Sequence, residues 1–144
     1  MYDFDEHPRK YYLEKYYECL EKAVNSGLFK YICHPDCFLR GWKVWDETAI
    51  EFAHKIAKLL NGKNVYAELS ASGVRNKRKV QYNGELYPAS PFKEFYRILS
   101  QYDIKFVLGC DAHSPEQLDD DAVKYICNLA KELKLNVVYT LNDL

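Results

Sequence analysis

Apolar residues recur at helical spacing in four stretches of this chain, and each stretch is followed by a short apolar run that suits a buried strand. Leu13, Tyr16, Tyr17, Leu20 and Val24 mark a first helix over about residues 8–26, with Gly27 as its C-terminal stop. The run 28–33 predicts the first strand, and His34-Pro35-Asp36 ends it. Asp46 caps a second helix that carries Ile50, Ala53, Ala57 and Leu60 on one face and stops at Gly62. Residues 64–69 form the second predicted strand. Ser90-Pro91 opens a third helix striped by Phe92, Phe95, Tyr96 and Leu99, and residues 104–108 form the third strand. The last helix spans about 119–133, with Val123, Ile126, Ala130 and Leu133 inward, and 136–140 is a final strand. Between the second strand and the third helix the periodicity fades. Residues 70–89 read as a long polar loop with a basic cluster and an Asn83-Gly84 turn.

Helices and strands alternating at this length imply right-handed crossovers and a parallel sheet. The expected fold is therefore α/β, a single partial domain of about half an eight-stranded barrel. A half-barrel leaves an open edge on each side, which must be covered, paired or tolerated. Self-association by exchange of a helix or strand is the expectation that follows. No linker, low-complexity segment or internal sequence repeat interrupts the 144 residues.

Composition narrows the function classes. The chain is long enough for a real core, and 48% of its residues are apolar, with 13 tyrosines among them. A formal net charge of −1 argues against a general nucleic-acid or anionic-membrane binder. No apolar run approaches a membrane span, and the N-terminal residues Asp3, Asp5 and Glu6 are acidic where a secretory signal is basic. Five cysteines without zinc-ribbon spacing read as free thiols in a reducing cytoplasm. Cys33 and Cys37 flank His34 and are open to a metal-site reading, although small buried apolar residues are the commoner use of cysteine.

The candidate chemistry centres on residues 109–116, Gly-Cys-Asp-Ala-His-Ser-Pro-Glu, directly after the third strand. Ser114 as N-cap, Pro115 at the first helical position and Gln117 as the far member of a capping box signal a helix start. Asp111 and His113 then stand two residues apart at a strand terminus. A carboxylate and an imidazole there suit a divalent Zn, Mn or Fe ion, and equally suit acid–base work. His34 falls at the end of the first strand and Glu68 near the end of the second. In parallel α/β folds such residues meet at the carboxyl rim of the sheet. Singly, each has a plainer role: His34 in a turn, Glu68 paired with a lysine, Asp111 capping. Arg75 follows Ser72-Gly73 and is placed to grip a phosphate bidentately over that rim. Lys77, Arg78 and Lys79 read as a solvated loop, and Arg40 and Lys43 as weaker anion candidates. His54, mid-helix, and His7, near the terminus, read as structural or peripheral.

These segments, in order, resemble the second half of the PHP (polymerase and histidinol phosphatase) family, in its histidinol-phosphate phosphatase branch. The resemblance rests on Tyr16-Tyr17, Ser26-Gly27-Leu28-Phe29, Cys33-His34-Pro35-Asp36, Glu68 to Arg75, Tyr87-Pro88 and Gly109 to Glu116. It implies a distorted α/β barrel with a two- or three-metal site at the carboxyl rim, hydrolysing phosphate esters through metal-activated water. It further implies His34, Asp111 and His113 as metal ligands, and Asp111, His113 and Glu68 as catalytic groups. Arg75, with Ser72 beside it, becomes a contact to the phosphate of a small ester, histidinol phosphate in the family.

The family's first strand carries His-X-His, and this chain contains no such motif. The resemblance therefore implies a phosphatase incomplete as an isolated chain, completed by a complementary PHP half or by a second copy. The alternative is a non-catalytic PHP remnant that binds a metal or an anion or associates with itself.

Overall fold

In the computed structural model, residues 8–139 are described. They form α1 (Arg9–Ser26), β1 (Tyr31–Ile32), α2 (Leu39–Trp42), α3 (Glu47–Leu60), β2 (Tyr66–Ser70) and α4 (Ser72–Arg75). There follow β3 (Lys79–Tyr82), β4 (Glu85–Pro88), α5 (Lys93–Leu99), β5 (Lys105–Gly109), a 3-10 turn (Pro115–Asp119) and α6 (Asp121–Glu132). The fold is mixed α/β. Its main sheet is parallel throughout, in the order β1-β2-β5, with Ile32 beside Ala67 and Ser70 beside Gly109.

The helices form where the apolar stripes require them. Leu13, Leu20 and Val24 of α1 are buried, and Gly27 ends the helix in the left-handed region at φ 68°. The Asp46 carboxylate accepts the Ala49 N–H at 2.9 Å and starts α3, whose Ala53, Ala57 and Leu60 are fully buried. Ile50, expected on that face, is instead exposed, because it stands at the margin of the stripe. All four residues of the predicted third stripe are buried, although α5 begins only at Lys93, after the cis Ser90-Pro91 bond. One core joins these elements, with Phe38 packed edge-on against Phe52 at 4.8 Å and against Phe95 at 5.9 Å.

Four expectations are corrected. The first strand is two residues long, not six: Leu28 and Phe29 lie outside it and are exposed. The loop over 70–89 is not irregular. It contains α4 and an antiparallel hairpin of β3 and β4. Asn83 and Gly84 have φ of 50° and 79°, which suits a two-residue turn whose twist matches the strands. The hairpin is tied down by the Trp45 N–H, which donates to the Gln81 carbonyl at 2.8 Å, and it buries Val80. The final strand is reduced to a single parallel bridge between Phe106 and Val137, and position 140 lies outside the described residues. The capping box at Ser114 is absent. Gln117 reaches back to the His113 N–H at 2.7 Å, the turn from Pro115 is 3-10, and Asp120 caps α6 by accepting the Val123 N–H.

Among the described residues no helix is long and apolar enough to cross a membrane. All five cysteines are unpaired, and none is fully buried.

Candidate functional site at the carboxyl rim

The parallel register brings three of the predicted residues to one end of the sheet. Glu68 is on the central strand β2, opposite Val107 of β5. His34 follows β1 and Asp111 follows β5, on either side of it. Both flanking residues take left-handed backbone conformations, with φ of 47° at His34 and 44° at Asp111. Such values are uncommon away from glycine, and where they persist the surroundings enforce them.

Glu68 is held on several sides. Its Oε2 accepts the His34 N–H at 3.2 Å, and its Oε1 lies against Gly109, so closely that a β-carbon there would collide with it. The Tyr96 hydroxyl donates to the Glu68 carbonyl at 2.7 Å. The carboxylate is nearly buried, and this burial pushes its pKa up, against the pull of His34; the negative charge of Asp111 pushes the same way as burial. The Cys33 thiol, raised first by its own burial, is also raised by Glu68 and Asp111. Cys33, His34, Glu68 and Asp111 thus share one electrostatic neighbourhood.

His34 Nδ1 lies 3.3 Å from Glu68 Oε2 but is not aligned for a hydrogen bond, so this buried nitrogen has no hydrogen-bond partner. An orphaned imidazole nitrogen beside a carboxylate has the donor chemistry of a divalent-metal ligand. The expected ligand set is nonetheless not assembled. Among the described residues no group of three His, Cys, Asp or Glu side chains is placed to hold one ion. His113 is exposed and turns its Nδ1 to the Asp111 carbonyl at 3.0 Å. His34, Asp111 and His113 are therefore not gathered around one point in this arrangement.

Arg75 departs from its expected role as a free phosphate fork. Its Nε donates to Asp120 Oδ2 at 2.7 Å and its Nη2 to Asp120 Oδ1 at 3.0 Å. The Nη2 also donates to the Gln117 carbonyl at 2.9 Å, and the Nη1 to the carbonyls of Cys110 at 2.6 Å and Asp111 at 3.4 Å. All five guanidinium N–H groups are engaged within the protein. Gly73 admits the Ser90 carbonyl, which a β-carbon at 73 would strike. Ser72 and Arg75 border an open depression of about 280 Å³ together with Asn76, Asp111, His113 and Gln117. Lys77, Arg78 and Lys79 are solvated, as expected. His54 Nδ1 is 2.8 Å from the Tyr102 hydroxyl, and His7 lies outside the described residues.

Two residues of consequence escaped the sequence reading. Asp36 looked like a strand terminator, yet it is fully buried, accepting from the Ser90 hydroxyl at 2.8 Å and the Phe92 N–H at 3.0 Å. Burial pushes its pKa up to about 6 despite those two bonds. Nothing local marks this, since its partners come from more than fifty positions away. Asp120 was legible only as one of three consecutive aspartates at a helix start.

No family model matches the chain, and no curated protein or solved structure matches it.

Proposed function

We propose that this chain carries one part of a metal-dependent phosphoric monoester hydrolase site of the PHP kind, on a sheet that belongs to a distorted α/β barrel. The observation that carries the reading is the flanking of Glu68 by His34 and Asp111, two non-glycine residues in left-handed conformations at the carboxyl ends of parallel strands. The ordered motifs from Cys33 to Asp36, Glu68 to Arg75 and Gly109 to Glu116 support the same family. In this reading Glu68 and His34 hold and move a proton at the rim, while the depression beside Ser72 and His113 receives the phosphate of a small ester. A Zn, Mn or Fe ion needs ligands beyond those gathered here, supplied by a complementary PHP half or a second copy of the chain.

The test is metal content and phosphate release, with histidinol phosphate as substrate and Zn, Mn or Fe added. The chain is assayed alone and mixed with a PHP half that carries His-X-His. Turnover in the mixture, abolished by Asp111→Ala, is the expected result. Absence of both metal uptake and turnover in every mixture overturns the reading.

The full engagement of Arg75 favours a second reading, a non-catalytic remnant that binds an anion or a metal or associates with itself. Efficient hydrolysis by the chain in any of these mixtures excludes it.

A further inference from the structure

Asp120 occupies the guanidinium of Arg75 in the two-point manner that carboxylates and phosphates share, Nε to Oδ2 and Nη2 to Oδ1. It is the one anion among the partners of Arg75; the other three are neutral backbone carbonyls. Asp120 also has a second anchorage, because its Oδ1 accepts the Val123 N–H and caps α6. On losing Arg75 it would stay satisfied at the helix start. Arg75 itself lines the depression bordered by Ser72, Asn76 and His113, while Asp120 stands outside its lining.

We infer that Asp120 is a built-in competitor for Arg75, so that the Arg75–Asp120 pair is a latch which a phosphate group entering the depression opens by taking the guanidinium. The inference rests on the phosphate-ester reading above and adds a regulation to that site. A phosphate carries up to two charges where the carboxylate carries one, which favours the exchange. The same guanidinium holds the carbonyls of Cys110, Asp111 and Gln117, so opening the latch loosens the segment that carries Asp111 and His113. Occupancy of the depression and the conformation of the rim are thereby coupled through one side chain.

The probe is inorganic phosphate, titrated into the full chain and followed by the amide resonances of residues 110–121. Asp120→Asn keeps the helix cap and removes the competing charge, and it should bind phosphate about tenfold more tightly than the unsubstituted chain. Asp121→Asn removes the same charge one position away and should leave the affinity unchanged. Arg75→Met should abolish binding. Asp120→Ser serves as a second cap-preserving variant if Asp120→Asn folds poorly. In the unsubstituted chain, phosphate should speed hydrogen exchange across 110–120.

Equal affinities for the Asp120→Asn and Asp121→Asn variants, or no phosphate binding by any variant, overturn the latch. Turnover in the mixed assay without tightening in Asp120→Asn overturns the latch alone and leaves the hydrolase reading standing. Tightening with neither metal uptake nor turnover in any mixture overturns the hydrolase reading and leaves the latch standing as a phosphate-binding device.

Discussion

The carboxylate of Glu68 occupies the space that a β-carbon on residue 109 would need. The two residues lie on neighbouring parallel strands, with Ser70 paired to Gly109 and Glu68 two positions earlier on the same strand. The missing side chain at 109 is what allows a buried carboxylate to lie flat across the rim toward His34. Gly109→Ala should therefore displace Glu68 and destabilise the fold by about 1–3 kcal/mol, the usual range for overpacking. In a Glu68→Ala background the same change should be nearly neutral, because the colliding atoms are gone. A double-mutant cycle by urea denaturation measures this, and additive effects would show that the contact is not the cause.

Gly73→Ala should be worse. The obstacle at 73 is the carbonyl of Ser90, a backbone group that cannot swing aside as a side chain can. The loss should lie at the top of the range of about 1–3 kcal/mol or beyond it. Denaturation midpoints for the two alanine variants, taken side by side, check the order.

Asp36 makes stability fall as pH rises. Its pKa is about 6 in the folded chain, pushed up by burial, against about 4 in an unfolded one. Between those values the folded state holds the extra proton, so stability decreases with pH across that window. Asp36→Asn should lose this component, so that the unsubstituted chain loses ground against it from about pH 4 to pH 7. Ser90→Ala removes the donor to Asp36 Oδ1 and should cost about 1–3 kcal/mol at neutral pH, where the carboxylate is charged. Urea titrations at several pH values read both effects.

Asp120 acts in the opposite direction. The Arg75 guanidinium holds its pKa at about 2, below the ordinary carboxylate value. Its contribution is complete above the unfolded pKa of about 4 and is lost as pH falls through 2. Arg75→Met should flatten the acid limb of the stability profile in that window. An unchanged acid limb would show that the pair does not contribute in solution.

Much of this architecture was legible in the chain. The apolar stripes of α1, α3, α5 and α6 are local periodicities, and burial of one face of each helix follows from them directly. The alternation of helices with short apolar runs, together with right-handed crossovers, was enough to predict a parallel sheet and to set His34, Glu68 and Asp111 at one rim. The hairpin of β3 and β4 was hidden because its strands are only four residues each, too short for alternation to stand out from a polar loop; only the Asn83-Gly84 turn betrayed it.

What tertiary structure alone decided is the state of each polar group at the rim. Whether Arg75 is a free fork or a clamp depends on Asp120, forty-five positions away, and on three carbonyls of a segment whose path no local pattern sets. Whether Asp36 ends a strand or sits buried depends on Ser90 and Phe92. Hydrophobic burial is read from composition along the chain because it needs only an apolar surface. Hydrogen bonds and ion pairs are directional and short-ranged, and their partners are known only once the chain has folded.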